Sequence, residues 1–287
     1  MTLPKNFLHH HVCVVTGGTQ GIGWALVQAL ADHGGIVYGC GRSQHSLDRA
    51  HQELAALPWA DRVHLAQCDV TDRAQLEAWL DAIIAEHGHI DVLINNAAFV
   101  RWVDVEAMSV AEAELTMRVG YDGMVYAIKK VLPLMRTQGS GHIVNMGSIA
   151  GRIFVGGASA AYAAVKAAID AYTQILQVEL QSTAVRATLV RLGTVAGTDF
   201  FKEHVATTRM PPLTRLMPAL TPPLVATAVL QAIYRHTDII TLPRYLHPLT
   251  LLYMLAPRFS RWLAQKGSQG LPDYGAANWK YSQRNRN

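Results

Sequence analysis

The segment "TGGTQGIG", residues 16–23, joins a β-like run to a helix-like one. It follows "HVCVV" and precedes "WALVQAL", which has helical spacing of its apolar residues. Glycines at positions 17, 21 and 23 allow a tight turn, let backbone N–H groups approach a pyrophosphate, and permit a helix to pack closely on a strand. A plain tight turn would also use these glycines, but the position between the first strand and the first helix favours a dinucleotide-binding loop.

The same alternation of short apolar runs and longer helical segments continues along the chain. In "RAQLEAWLDAIIAEHG" the apolar side chains recur on one helical stripe. Such alternation predicts an α/β fold, a doubly wound parallel sheet of about seven strands with helices on both faces. The predicted strands lie at 11–16, 35–40, 62–68, 90–95, 142–146, 186–192 and 238–242.

No internal repeat or linker interrupts this pattern, so we predict a single domain over residues 1–287. The pattern loosens at 194–222, a long segment that is apolar in patches and contains several prolines. A loop of that length in a compact domain is usually functional, and we predict a substrate lid there. Residues 244–287 form a predicted C-terminal extension.

Composition excludes several classes of protein. The chain is 50% hydrophobic and 16% charged, as globular proteins are, and its net charge of +4 comes without a basic run or interleaved aromatics. We therefore predict no nucleic-acid partner. The first residues lack the features of a signal peptide, which predicts a cytoplasmic protein. Cys13, Cys40 and Cys68 have no C-x-x-C spacing and are predicted to be reduced and buried. The histidines at 9–11 suggest strand entry rather than metal binding, and no metal site is predicted.

Five motifs together resemble one family. These are "TGGTQGIG", "CDV" at 68–70, "NNAA" at 95–98, "MGS" at 146–148 and "YAAVK" at 162–166. Their order and distances are similar to those of the short-chain dehydrogenase/reductase family, over residues 11 to about 200. The resemblance implies a Rossmann-like fold and nicotinamide-dependent chemistry on alcohol and carbonyl groups.

Tyr162 and Lys166 stand at i and i+4, so their side chains project from the same helix face. A lysine cation beside a phenol lowers the phenol pKa, which suits Tyr162 to act as a general acid or base. An isolated Tyr-x-x-x-Lys is usually a half-buried helix edge, but Ser148 after a strand favours a catalytic group. The resemblance implies that Ser148 holds the substrate oxygen and Lys166 the nicotinamide ribose. A serine esterase is a poor alternative, since "NMGSIAG" lacks the G-x-S-x-G pattern.

Arg42 follows the second predicted strand, where an acidic residue would bind the ribose 2′-OH of NAD. An arginine there can pair with a 2′-phosphate, so NADP(H) is the predicted cofactor and NAD is less favoured. No carboxylate is expected to oppose Arg42. The resemblance adds residues for adenine, ribose and carboxamide. The full predicted set is Gly17, Thr19, Gln20, Gly21, Ile22, Gly23, Arg42, Asp69, Val70, Asn95, Ala97, Tyr162, Lys166, Val195 and Thr198.

One position departs from the family pattern. Gly120 stands where an asparagine usually steadies a distorted helix and supports a water relay to the lysine. Tyr121 or Asp122 is a candidate substitute. The departure sustains a second hypothesis, a catalytically weak NADP(H)-binding sensor or interaction protein.

The predicted cleft walls are rich in apolar side chains, which favours a bulky apolar substrate: a steroid-like, terpenoid, aryl or lipid alcohol or carbonyl compound. The alternative is that these side chains face the core or a subunit contact. The chosen substrate residues are Phe99, Trp102, Phe154 and Phe201, with Phe200, Leu213, Leu216 and Met217 in the lid.

Two further expectations concern partners. The resemblance implies a homodimer or homotetramer built on helices within 117–134 and 160–180. The apolar run from Tyr245 to Ala256, followed by Arg258, Arg261 and Lys266, is too short to span a bilayer. It suggests either peripheral membrane contact or a cap over the substrate cleft or a subunit contact.

Overall fold

Seven parallel strands form one sheet in the order β3-β2-β1-β4-β5-β6-β7. The computed structural model describes residues 3–154, 160–196, 219–260 and 262. The strands are β1 (Val12–Thr16), β2 (Ile36–Gly41), β3 (Val63–Gln67), β4 (Val92–Asn95), β5 (Gly141–Ser148), β6 (Val185–Leu192) and β7 (Ile239–Leu242). The predicted fold class is confirmed. β5 is longer than predicted because it pairs with β6 from Gly141 to Ser148.

Eight α-helices connect and cover these strands within the described residues. Local sequence sets several of their ends: Asp72 caps α3, a capping box of Ser109 and Glu112 opens α4, and Gly88 ends α3 at a φ of 75°. The helices are α1 (Gly21–Asp32), α2 (Gln44–Leu54), α3 (Arg73–His87), α4 (Val110–Met117), α5 (Gly123–Gln138), α6 (Ala160–Leu180), α7 (Pro222–Arg235) and α8 (Leu246–Leu255).

The sheet separates two hydrophobic cores. Val12 and Val14 of β1 face the core built with α3, α5 and α6, whereas Cys13 and Val15 face the core built with α1 and α7. Successive residues of a strand point to opposite faces, so a strand that is covered on both sides must be apolar throughout. This explains why β1 is buried along its whole length.

All three cysteines are buried and free, as predicted. The strand order, however, brings two of them together: Cys40 near the end of β2 and Cys68 just after β3 share a hydrogen bond. That bond raises the pKa of the Cys40 thiol and lowers the pKa of the Cys68 thiol. No feature of their spacing along the chain indicated this contact.

The predicted lid lies mostly outside the described residues. Its two ends are joined, because Val195 and Leu220 form a parallel β-bridge and the Ala196 N–H donates to the Leu220 carbonyl at 2.8 Å. Chain order reverses between β1 and β4, and this switch point opens a crevice at the carboxyl ends of the strands.

Candidate functional site

Ser148, Tyr162 and Lys166 meet at the carboxyl end of β5. Ser148 is the last residue of β5, while Tyr162 and Lys166 lie one turn apart on α6. All three side chains are buried, and Tyr162 and Ser148 share a side-chain hydrogen bond. The Ser148 hydroxyl also donates to the Leu192 carbonyl at 3.1 Å, which holds it at the sheet edge. The structure therefore brings the predicted trio together.

The electrostatics of Tyr162 differ from the sequence-based expectation. Burial raises the pKa of Tyr162 to about 12, and the hydrogen bond to Ser148 only partly opposes this. The predicted lowering by Lys166 is wrong for this arrangement, because the Lys166 ammonium donates to the Met146 carbonyl at 2.7 Å and lies 5.7 Å from the phenol ring centroid. Burial lowers the pKa of Lys166 to about 8.

The helix distortion expected near Gly120 is present without the asparagine. Residues Arg118–Asp122 form a π-helical turn between α4 and α5, and π-turns in helices frequently occur at functional sites. The Tyr121 ring packs edge-on against Tyr172 in the groove between α5 and α6. Tyr121 is thus engaged away from Lys166, and its suggested role as a substitute receives no support.

The glycine loop is packed too closely for side chains at its key positions. Gly17 and Gly21 have φ values of 64° and 56°, which favour glycine. A Cβ on Gly23 would lie 1.9 Å from the Gly17 carbonyl oxygen, and one on Gly17 would lie 2.9 Å from Ala97 Cα. The loop ends at Gln20, the N-cap of α1, so the first N–H groups of α1 point into the crevice. This cradle fits a dinucleotide pyrophosphate.

Asn96 and the Asn145 network are site residues that the sequence analysis missed. The Asn96 amide donates to the Gly17 carbonyl at 3.0 Å and to the Thr16 carbonyl at 3.2 Å, which holds the glycine loop. The Asn95 amide instead donates to Asn145 inside the sheet at 2.8 Å. The Asn95 side chain is thus engaged inside the sheet, and contact of this residue with the cofactor stays a prediction. The two adjacent asparagines of the "NNAA" motif were the feature of the sequence that could have indicated Asn96.

A carboxylate does face Arg42, contrary to expectation. Arg42 Nη1 lies 3.7 Å from Asp69 Oδ2, and both side chains are about one-third exposed. The contact arises because β2 and β3 are neighbours, so the residues after their carboxyl ends meet. The other Asp69 oxygen accepts from the Thr71 N–H and hydroxyl. An ion pair this exposed contributes little, so it leaves Arg42 able to exchange Asp69 for a phosphate.

The remaining predicted cofactor residues occupy varied positions. Thr19 is buried and bonds the Ser46 hydroxyl at 3.0 Å, while a Cβ on Gly41 would collide with Thr19. Val70 is buried against Gly123. Val195 is buried at the β-bridge to Leu220, and Thr198 lies outside the described residues.

Among the predicted substrate residues that the structure describes, only Phe154 is largely exposed, and its ring packs edge-on against Tyr253 of α8. Trp102 is half-buried against the core of α3, α5 and α6. Phe99 is 6% exposed, and its role as a wall residue stays a prediction. Phe201, with the other lid residues Phe200, Leu213, Leu216 and Met217, lies outside the described residues.

The arginines around the site form ion pairs that are buried or partly buried, and the sequence analysis did not identify them. Arg101 pairs with Glu112, and both side chains are buried. Asp170, one turn after Lys166, accepts from Arg191 at 2.6 and 3.1 Å and also lies 3.2 Å from Arg152. Pairing offsets part of the desolvation cost of these buried charges. In the described ranges, no group of three or more His, Cys, Asp or Glu side chains could hold a metal ion.

A glycine cradle at the β1/β4 switch point and a buried Ser–Tyr–Lys group at the same edge define a dinucleotide-dependent oxidoreductase. The family model described as short chain dehydrogenase matches residues 11–209, and the chain belongs to this family.

Three known proteins illustrate the similarity. The NADP-dependent 3-hydroxy acid dehydrogenase YdfG of Escherichia coli (strain K12) is 35% identical over 190 residues, which cover 66% of this chain and 74% of that protein. The closed form of serine dehydrogenase complexed with NADP+ is 31% identical, with a TM-score of 0.68 over 80% of this chain and 93% of that one. A short chain dehydrogenase/reductase from Burkholderia phymatum in complex with NAD has a TM-score of 0.77 over 88% and 96% of the two chains; at 22% identity it supports the fold alone.

Proposed function

We propose that the protein is an NADP(H)-dependent oxidoreductase that interconverts a secondary alcohol and a ketone or aldehyde. The observation that carries the proposal is the hydrogen bond between Tyr162 and Ser148 beside Lys166, at the sheet edge that also holds the glycine loop. Bound NADPH supplies the hydride. Tyr162 gives its phenolic proton to the carbonyl oxygen during reduction and takes it back during oxidation.

The neighbouring side chains support this proton transfer. Ser148 orients the substrate oxygen by a hydrogen bond, from a position that its own bond to Leu192 restricts. Lys166 brings a cation into the same buried region, where its bond to the Met146 carbonyl holds it away from the phenol. Movement of the ammonium from that carbonyl toward the ribose would bring the charge closer and favour the phenolate over the phenol. Burial of all three groups keeps water away from the transferred proton.

The preference for NADP(H) over NAD(H) rests on Arg42. Its guanidinium stands at the end of β2, beside Gly41, and its contact with Asp69 is long and partly exposed. Charge-assisted bonds to a 2′-phosphate would replace that contact. Similarity to two proteins whose names specify NADP supports the same choice.

For the substrate we propose a bulky apolar alcohol or carbonyl compound. Near the site Arg101 is paired with Glu112, while Arg152 and Arg191 share Asp170, so a negatively charged substrate would have to compete with these two carboxylates. The Phe154 ring and α8 add apolar surface at the rim. A second candidate is a small 3-hydroxy acid, which the 35% identity to a 3-hydroxy acid dehydrogenase favours.

A kinetic comparison tests these alternatives. NADPH consumption is measured with a ketone series of increasing apolar size, and NADP+ reduction with small 3-hydroxy acids including serine. We expect kcat/KM to rise with apolar area, by roughly 25 cal/mol per Å² buried, and Trp102→Ala to flatten the rise. Higher kcat/KM for the hydroxy acids would select the second candidate. Binding of NADPH without turnover of either series would favour a sensor.

We further propose a cytoplasmic homodimer that pairs α5 and α6 of two copies, or a homotetramer that contains this pair. A cavity of about 890 Å³ lies between these helices, with both apolar and charged residues in its lining. Ile175 and Val178 beside it are about 60% exposed. Replacement of both by glutamine should shift the molar mass in light scattering toward the monomer; an unchanged mass would contradict this interface.

A further inference from the structure

Helix α8 has one face packed on the protein and one face exposed. Leu246, Thr250 and Tyr253 are buried, and the Tyr253 hydroxyl donates to the Phe154 carbonyl at 3.4 Å. The packed face suits α8 to act as a cap over the substrate cleft. The other face does not pack on the described residues: Leu251, Leu252, Met254 and Leu255 are 41% to 85% exposed.

The apolar surface continues on both sides of α8. Tyr245 at its start is 41% exposed, and Phe259 and Trp262 after its end are about half exposed. The Phe259 and Trp262 rings stack with centroids 5.8 Å apart. We refer to the exposed apolar side chains of residues 245–260 and 262 as the α8 patch. Contiguous exposed apolar surfaces of this kind mark interaction sites.

Charge is distributed unevenly between this end of the chain and the rest. Residues 239–287 contain seven of the 25 Lys and Arg but one of the 21 Asp and Glu, so they carry +6 while residues 1–238 carry −2. No Asp or Glu occurs between 239 and 272. Arg244 and Arg258, which flank α8, are both exposed. The apolar surface is therefore bordered by positive charge.

We propose that the α8 patch docks the protein on the surface of an anionic phospholipid bilayer. Apolar side chains with basic and aromatic neighbours are typical of segments that lie in the membrane interface. Charge decides between lipid and a second copy of this chain, because two segments that each carry +6 would repel, whereas anionic lipids attract them.

The geometry indicates a helix that lies on the bilayer and does not cross it. α8 has ten residues, half the length that a spanning helix needs. Within the parts of the chain that the structure describes, we find no helix with the length and apolar character for a transmembrane span. Tyr253 of α8 contacts Phe154, which lies in the segment that follows the candidate catalytic residue Ser148. Docking through α8 would therefore place the mouth of the cleft near the lipid.

Sedimentation of the full chain with vesicles tests the proposal without any substrate or cofactor. We expect it to bind phosphatidylcholine vesicles that contain phosphatidylglycerol, and to bind pure phosphatidylcholine weakly. Met254→Gln with Leu255→Gln should lower the partition coefficient roughly tenfold to a hundredfold, since two apolar side chains no longer leave water. Arg244→Gln with Arg258→Gln should lower it roughly tenfold on the anionic vesicles only.

A matched control is Val110→Gln with Leu224→Gln, which removes two similarly exposed apolar side chains from α4 and α7, outside the proposed dimer interface. This variant should bind the anionic vesicles as the wild type does, and melting temperatures establish that every variant is folded. Equal binding to both vesicle types, or unchanged binding by the Met254/Leu255 variant, would overturn the proposal. Self-association of the wild type in the absence of vesicles, if the Met254/Leu255 variant abolishes it, would also overturn the proposal, because a second copy would then cover α8. An inactive protein that binds vesicles would contradict only the proposed reaction.

Discussion

Gly120 in the π-helical turn packs directly against Val165 of α6. A Cβ on Gly120 would approach Val165 Cγ2 to 2.8 Å, closer than carbon atoms normally come. Val165 immediately precedes Lys166, so the contact joins the unusual glycine to the candidate catalytic helix. The small residue therefore lets α6 pack closely against the π-helical turn.

The first prediction is that Gly120→Asn lowers both the stability and the activity of the protein. The new side chain must displace Val165, and overpacking of this kind costs roughly 1–3 kcal/mol of stability. We expect a lower free energy of unfolding in urea and a lower kcat. The double variant Gly120→Asn with Val165→Ala should recover most of the stability, because it removes the clashing methyl group. A gain in kcat by Gly120→Asn alone would show that the native site lacks a relay.

The second prediction concerns proton transfer by Tyr162. Tyr162→Phe removes one oxygen and keeps the ring, so kcat should fall roughly 10²–10⁴-fold while NADPH affinity changes little. Tyr172→Phe is a matched control on the same helix, since Tyr172 lines the outer groove. Steady-state kinetics and cofactor titration by fluorescence measure both quantities. A fall of less than tenfold in kcat would remove Tyr162 from the proposed chemistry.

The third prediction concerns cofactor choice. Arg42→Ala should raise the KM for NADPH roughly 10- to 100-fold and leave that for NADH nearly unchanged, because a hydrogen bond to a charged group contributes about 1.5–3 kcal/mol. Arg73→Ala is the control, since Arg73 is an exposed arginine paired with Glu77 on α3. Comparable kcat/KM for both cofactors in the wild type, unaffected by Arg42→Ala, would contradict the assignment.

The fourth prediction concerns acid stability. His142 is buried at the start of β5, where burial first, and then the charges of His236 and Arg186, lower its pKa to about 3. The native state keeps this ring neutral, whereas the unfolded chain protonates below the ordinary value of 6.5. The unfolded state therefore binds more protons between these values, and stability is lost as the pH falls from 6.5 towards 3.

Between pH 7 and 5 this group should remove about 2 kcal/mol of the free energy of unfolding. Urea unfolding at both pH values measures the loss. His142→Gln should reduce it, and substitution of the exposed His45 by glutamine should not. An equal loss in the wild type and in His142→Gln would assign the acid sensitivity to other groups.

Much of the fold and of the site could be predicted because the relevant signals are local. Apolar runs of four to eight residues indicated each strand, and glycines between β1 and α1 indicated the loop, since turn geometry depends on neighbouring residues. The i, i+4 spacing of Tyr162 and Lys166 places them on one helix face whatever surrounds the helix.

Contacts between strands could not be predicted in this way. Asp69 meets Arg42, and Cys68 meets Cys40, only because β3 lies beside β2 in register. Such pairs are 27 and 28 residues apart in the chain. Periodicity shows that a strand exists but not which strand is its neighbour.

The sequence by itself determined the order of strands and helices, the glycine loop and the residues of the candidate catalytic group. Only the tertiary structure decided their environment: the Lys166 ammonium bonds the Met146 carbonyl, Glu112 pairs with Arg101, and Phe99 is buried. The reason is that local motifs depend on spacing along the chain, whereas burial and charge pairing depend on which distant segments the packed sheet brings together.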